Sequence, residues 1–238
     1  KHTAQIIFGN ARDQQSEFVY TDLSTLFPGY KFESGKSSYR GEDPSEGGYV
    51  HAVPGIYENV PVLDVASMHP TSMICLNLFG DTYTPRFREL LEARLAIKRR
   101  DYDEAKKMLG GKLAPHLKNV ADAEALAFAL KIVINSVYGL TSAKFNNPFR
   151  DIRNVDNIVA KRGALFMIDL KHYVEEELGL TAAHIKTDSI KLPGATEDDI
   201  QKVIEFGKKY GYTFEHEATY RKFCLVNDAV YIASKIGK

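Results

Sequence analysis

The stretch Lys131-Ile132-Val133-Ile134-Asn135-Ser136-Val137-Tyr138-Gly139 places a cation, an amide, a hydroxyl and an aromatic ring inside an otherwise apolar run. At about 100° per residue, Lys131, Asn135 and Tyr138 share one helical face, while Leu126, Leu130, Val133 and Val137 share roughly the opposite one. One face is expected to pack and the other to be presented. By itself the segment is equally well an amphipathic surface helix with a solvated lysine, and other parts of the chain decide between the two.

The chain around it has 238 residues, 44% of them hydrophobic, enough for a real core in one domain or two closely joined subdomains. Its 31 Lys and Arg balance 31 Asp and Glu. No global charge therefore marks a nucleic-acid binder, and any polyanion must be met by a local cluster of cations. Cys75 and Cys224 are too few and too far apart for a disulfide framework or a zinc site. They fit a reducing compartment and read as buried thiols. No apolar run approaches the roughly 18 residues that a membrane span needs. The start at Lys1, with neither initiator Met nor signal peptide, is what an excised or processed piece would show.

Before the helix lies a first candidate acid. Val60-Pro61-Val62-Leu63-Asp64-Val65 reads as a buried strand, and Pro70 is placed as the first residue of a helix through Leu78 that Gly80 would end. A carboxylate at a buried strand end is paired, caps a helix or binds metal, which makes Asp64 a candidate. Upstream, Gly47-Gly48 frees the backbone for a turn or for close approach to a ligand. Residues 1 to 45 show no sustained period, apart from a turn at Pro28-Gly29.

Thr84-Pro85 suits the start of a helix running to about Met108 and closed by Gly110-Gly111. Arg94 and Lys98 lie four apart on it, near Arg99, Arg100, Lys106 and Lys107. With the Lys131 helix, expected to begin near Asp122, it forms a helical hairpin presenting cations, although a solvated face laced with salt bridges accounts for the charges too.

Downstream, residues 143 to 153 read as loop or short strand, and a long helix from about Asp156 to Leu178 is capped by Gly179. Ala183 to Leu192 suits a tight hairpin with Thr187 and Asp188 near its tip; Asp is also a common turn residue for local reasons. Thr196 with Glu197, Asp198 and Asp199 starts a helix, Tyr212 to Glu217 alternates as a strand, and Phe223–Val226 with Val230–Ala233 flank a second hairpin.

Three pieces then stand in order: Asp64-Val65-Ala66-Ser67-Met68-His69-Pro70, Lys131 to Gly139, and Lys186-Thr187-Asp188-Ser189. They resemble the D-x-x-S-L-Y-P, K-x-x-x-N-S-x-Y-G and D-T-D-S motifs of family B DNA polymerases, the second motif most specifically. The resemblance implies an α+β fold, a polymerase palm with an antiparallel sheet carrying Asp64 and Asp188 plus a short helical-hairpin fingers region. The expected bounds are an N-terminal segment 1–45, palm 46–83, fingers 84–139 and palm 140–238, without exonuclease or thumb.

The resemblance also implies a function: template-directed DNA synthesis, adding dNTP to a primer 3′-hydroxyl. Paired carboxylates can hold two Mg²⁺ ions about 3.5–4 Å apart, one activating the hydroxyl and one stabilising the leaving pyrophosphate. Asp64 and Asp188 would be the catalytic ligands, joined by the carbonyl of Val65, with Mn²⁺ as a substitute metal. Arg94, Lys98 and Lys131 would offset the triphosphate charge. Asn135 would support the same pocket, Tyr138 would stack near the nascent base pair, and the backbone of Ser67 and Met68 would lie under the phosphates. Gly139 would permit close approach. Primer-template DNA and dNTP are the implied partners, with further polymerase domains or subunits and no membrane. The expected setting is soluble and intracellular, a viral or phage protein in a host cell being one form of it.

Four positions depart from the family pattern. His69 stands where the family has the tyrosine that excludes a ribose 2′-hydroxyl, and Lys186 replaces the first Asp of D-T-D-S. A cation 4 Å from a carboxylate at an effective dielectric near 20 interacts by about 4 kcal/mol, enough to weaken metal binding unless Lys186 points away. Ala229 replaces the lysine of a Lys-x-Tyr element that holds primer-template, leaving Ala229-Val230-Tyr231, and Ser45 replaces the tyrosine of a Tyr-x-Gly-Gly turn. These departures keep a second expectation open, a non-catalytic nucleic-acid-binding or assembly module that retains the fold.

Overall fold

A computed structural model describes residues 2–9, 22–145, 147–149 and 157–236. The chain divides into two compact units, Lys1–Thr21 with Ser72–Asp156, and Asp22–Thr71 with Asn157–Lys238.

The second unit is α+β and is built on a six-stranded, wholly antiparallel sheet. Its strands are β3 (Val50–Ala52), β4 (Gly55–Val65), β5 (His184–Lys186), β6 (Ser189–Lys191), β7 (Phe214–Leu225) and β8 (Tyr231–Lys235), in the order β3-β5-β6-β4-β7-β8. A separate hairpin, β1 (Lys31–Glu33) with β2 (Lys36–Ser38), precedes it, as does the short helix α2 (Leu23–Leu26). Two longer helices belong to the same unit, α7 (Ile158–Glu176) and α8 (Glu197–Lys209).

Strand pairing sorts the residues of this sheet by face. Leu63, Ile190 and Ile185 are direct cross-strand partners, all fully buried. One residue along, the side chains point the other way, and there the row runs Val50, Lys186, Ser189, Asp64, Glu215 across five strands. β4 is longer than the Val60–Val65 expected, because residues 55–58 also pair with β7, which itself extends to Leu225. Aromatic rings close the core, with Phe166 of α7 4.7 Å from Tyr212 and 5.9 Å from Phe214. α8 starts with the anticipated capping box, Thr196 with Asp199.

Residues 39–49 show no secondary-structure period, and tertiary bonds place them instead. The buried carboxylate of Asp169 on α7 accepts from Tyr39 Oη at 2.7 Å, Tyr210 Oη at 2.8 Å and Arg40 at 3.1 Å. Two residues on, α7 carries the neighbouring clasp, in which Lys171 donates to Glu42 at 2.8 Å and Tyr49 donates to the same carboxylate. Burial together with these anionic acceptors pushes the phenols of Tyr39 and Tyr49 up, so both stay protonated donors.

The first unit is helical where described: α1 (His2–Phe8), α4 (Gly80–Lys98), α5 (Tyr102–Lys107), short 3₁₀ turns at Met108–Gly111 and Ala114–His116, and α6 (Val120–Thr141). Phe8, Phe79, Tyr83 and Phe149 pack as one aromatic cluster, with Phe8 5.2–5.4 Å from the other three rings. The helix α3 (Met68–Cys75) carries the chain from the second unit into the first.

Several boundaries differ from expectation. α3 starts at Met68 rather than Pro70, because Ser67 in the left-handed region (φ 50°) turns the chain first. α4 starts at Gly80, not Thr84; Thr84 Oγ1 instead accepts the N–H of Phe79 at 3.1 Å. It stops at Lys98 rather than Met108, since Arg100 is left-handed (φ 62°) and Asp101 caps a new helix. α6 starts at Val120, capped by Asn119. Its buried stripe is Ala123, Leu130, Ile134, Val137 and Thr141, so Leu126 and Val133 sit at the border rather than in the packed face. Cys75 and Cys224 are free thiols as expected, but half-buried rather than buried. The start of the long helix at Asp156, and residues 146 and 150–153 of the segment 143–153, fall outside the described residues; residues 143–145 and 147–149 form no strand, and α7 is described from Ile158.

Asp169→Ala removes the carboxylate shared by buried Tyr39, half-buried Tyr210 and Arg40, and should lower unfolding free energy by about 3 kcal/mol. Urea denaturation monitored by circular dichroism measures it; an unchanged midpoint would contradict the clasp.

Candidate active site

Sheet register brings Asp64 and Asp188 together. Asp64 is the penultimate residue of β4 and the direct partner of Ser189, and the N–H of Val65 donates to the carbonyl of Asp188 at 2.8 Å. The tip bearing Asp188 is held from the other side as well, where the N–H of Thr187 donates to Tyr49 O at 2.9 Å. Thr187 has φ 56°, a conformation that β-branched residues rarely adopt. It is accommodated because Gly48 (φ 144°) lies against it: a Cβ on Gly48 would stand 2.7 Å from Thr187 Oγ1. Of the paired glycines, read as a turn or a close approach to a ligand, Gly48 makes a close approach to the hairpin tip, while a Cβ on Gly47 would meet nothing within 4 Å. Ser45 closes the preceding turn by donating its hydroxyl to Gly48 O.

The electrostatics of this corner are those of crowded acids. Burial pushes Asp64 up to about 6, helped by a hydrogen bond with Glu217 and opposed by one from Ser189. Asp188 is raised too, by burial first and then by the charge of Asp64. Asp64 Oδ1 is buried with no hydrogen-bond partner, which is costly for an ionised carboxylate unless a cation meets it.

Two further neighbours were not singled out in the sequence. Glu217 sits at a bulge in β7, where Val62 pairs with Ala218 and Leu63 with His216, so it has no cross-strand partner of its own. Nothing in the alternation of Tyr212 to Glu217 marks that register shift. Lys191 lies on the Asp64 face, opposite Val62, with only 4% of its surface exposed. Its Nζ stands 3.1 Å from His184 Nδ1, while His184 Nε2 faces Asp228 O at 2.9 Å. Nε2 therefore carries the imidazole proton and Nδ1 accepts from Lys191. Burial holds the Lys191 ammonium below its usual range, against the pull of Asp64 and Glu217.

Lys186 does not point away from the Asp64 face. It shares the cross-strand row of Asp64, but two strands over, about 10 Å at ordinary strand spacing, and it is exposed to water. At that separation its repulsion is far weaker than that of a contact pair. His69, on α3, is mostly buried, which holds its imidazole below the usual value, with Asp188 pulling the other way.

The remaining candidates stand in the first unit. Arg94 is half-buried and Lys98 exposed on α4; Lys131 and Asn135 are exposed and Tyr138 half-buried on α6, which packs against α4. Gly139 lies inside α6, and a Cβ there would meet nothing within 4 Å. Among the described residues, no packing asks for this glycine.

Divalent metal suits the corner in part. Asp64, Asp188 and the Val65 carbonyl are oxygen donors, and the unpaired Asp64 Oδ1 is a vacant acceptor. Among the described residues, however, no three His, Cys, Asp or Glu side chains group as a metal cage. A donor set this sparse fits Mg²⁺, which keeps waters and shares substrate phosphates, better than a closed structural site.

The fold has a likeness among solved structures. The structure of the family B DNA polymerase from the hyperthermophilic archaeon Pyrobaculum calidifontis matches it with a TM-score of 0.55 and 17% sequence identity, over 78% of this chain and 28% of that one. At that identity the likeness concerns the fold, and this chain spans little more than a quarter of that enzyme's length. No protein-family model matches the chain, and no curated protein matches it in sequence. No described helix is long and apolar enough to cross a membrane.

Two predictions follow from these environments. In chelator, the elevated Asp64 favours the folded state below its unfolded value near 3.8, and that contribution is lost as pH rises through about 6. Asp64→Asn should therefore melt above wild type at pH 7, and the gain should vanish below pH 4; parallel Tm–pH curves would contradict it. Gly139→Ala should stabilise the chain by about 1 kcal/mol through helix propensity; an unchanged or lower urea midpoint would contradict it.

Proposed function

We propose that the chain is the palm and fingers portion of a DNA polymerase and carries out templated nucleotidyl transfer. The observation that carries this reading is the pair of crowded carboxylates, Asp64 with its unpaired Oδ1 and Asp188, on a fold shared with a family B polymerase. The sequence bounds 46–83, 84–139 and 140–238 are proposed on the same basis, with 1–45 as an N-terminal segment.

Asp64, Asp188 and the Val65 carbonyl would hold Mg²⁺, or Mn²⁺ in its place. Two such ions, when bound, supply Lewis-acid activation of the primer 3′-hydroxyl and charge neutralisation at the leaving pyrophosphate. The chain's own groups do the rest. Ionised Asp64 and Asp188 offer the oxygens, and Lys191 behind Asp64 favours the charged form of its neighbours. Arg94, Lys98 and Lys131 offset triphosphate charge, Asn135 supports that pocket and Tyr138 stacks beside the incoming base. The Ser67–Met68 backbone lies beneath the phosphates. His69 takes the position beside the sugar, where its buried, neutral ring supplies bulk against a ribose hydroxyl. DNA and dNTP are the proposed partners, further polymerase domains or subunits complete the machine, and an intracellular setting, viral or cellular, follows from the template.

A second reading, a binding or assembly module that retains the fold without catalysis, is favoured by Ala229 and by Lys186 in the Asp64 row. The two part on one experiment. Asp188→Asn should reduce primer extension by about a thousandfold or more while leaving primer-template affinity intact. Extension retained by the variant would end the catalytic assignment, and a wild-type chain that binds DNA but never extends it would favour the module.

A further inference from the structure

Glycine inside a helix costs about 1 kcal/mol relative to alanine, so a glycine in a helix buried on all sides implies a close neighbour. Gly163 is such a residue: α7 is buried without interruption from Ile158 to Leu170. A Cβ built on Gly163 would lie 2.6 Å from Sδ of Met68, 3.0 Å from its Cγ and 3.5 Å from its Cε. The contact is with the middle of the thioether chain rather than its free end. Met68 is 3% exposed, so a methyl group added at 163 could not be answered by swinging the side chain into water.

The other end of the same segment is fixed as firmly. Val65 N–H is bound to Asp188 O and Ala66 N–H to Thr213 O, both at 2.8 Å. Ser67 then turns through the left-handed region, and its carbonyl accepts the N–H of Thr71 at 2.9 Å to open α3. Residues 65–68 are thus a short bridge, pinned to the sheet at one end and seated on α7 through Met68 at the other.

We propose that Gly163 is a positioning residue for the nucleotide: it lets Met68 seat on α7 at a depth that a Cβ forbids, and so fixes the Ser67–Met68 backbone. This rests on the nucleotidyl-transfer reading, in which that backbone lies under the triphosphate. Gly163 touches no substrate itself. It acts through Met68, so its effect falls on nucleotide binding and not on DNA binding, and it depends on the size of the side chain at position 68. Misplacement of a binding segment by about 1 Å is felt in substrate positioning.

A double-mutant cycle in single-nucleotide incorporation, on the full chain with primer-template and Mn²⁺, reads this directly. Gly163→Ala should raise the dNTP KM about tenfold with a smaller fall in kcat and unchanged primer-template Kd. In the Met68→Ala background the same substitution should change KM by less than about twofold, because the clashing atoms are gone. Equal KM increases in both backgrounds, or none in either, would overturn the proposal. If Gly163→Ala alone melts below the assay temperature, the comparison of Met68→Ala with the double variant decides: equal KM values support the proposal, and a double variant several-fold worse overturns it. A wild-type chain that incorporates nothing would instead remove the nucleotidyl-transfer reading, and this inference with it.

Discussion

One backbone hydrogen bond, from Val65 N–H to the carbonyl of Asp188, sets the character of the α+β unit. It brings a strand end and a hairpin tip together with an acid on each. Burial then raises both carboxyls above their ordinary range, helped at Asp64 by Glu217 and at Asp188 by the charge of Asp64. A fold gains nothing in stability from such an arrangement. The surroundings hold it in place: Gly48 pressed against Thr187, the Tyr49 carbonyl on the Thr187 amide, and the Glu42–Lys171 and Asp169 clasps that bring residues 39–49 to α7.

The charge balance of the corner differs from that of an acidic pair alone. Glu217 adds a third carboxyl from a bulge, and Lys191 adds a buried cation whose ammonium rests on His184. Lys186, which on sequence alone threatened the site at contact distance, shares the face of Asp64 but stands two strands away in water. The buried lysine, rather than the exposed one, is the cation that lowers the carboxyl of Asp64. It is invisible to motif reasoning because nothing in Ser189-Ile190-Lys191 distinguishes a buried Lys from a solvated one.

Local signals were legible where a residue type has a single backbone use. Thr196 and Asp199 marked the start of α8, Gly179 marked the end of the long helix, and the Thr187–Asp188 tip was read from its flanking alternation. Asp64 at a strand end was legible for the same reason, as a polar residue inside an apolar run. What escaped was non-local. Residues 39–49 are placed by side chains on α7 about 130 positions away, the position of Glu217 depends on a register shift against β4, and Gly163 is explained only by a methionine from another element. α6 lies between these cases. Its helicity and the exposure of Lys131 and Asn135 followed from period, but Ile134 rather than Val133 entered the core, because packing chooses within a stripe that periodicity leaves broad.

The central claim is that Asp64 and Asp188 form a divalent-cation site serving a nucleotide. Crystals of the chain soaked with dNTP and Mn²⁺ test it through anomalous scattering at the manganese edge. The account predicts an anomalous peak within coordination distance of both carboxylates and the Val65 carbonyl, about 2.0–2.4 Å by ordinary metal–oxygen lengths. Manganese bound elsewhere with this corner empty, or a nucleotide bound away from the Ser67–Met68 backbone, would contradict it.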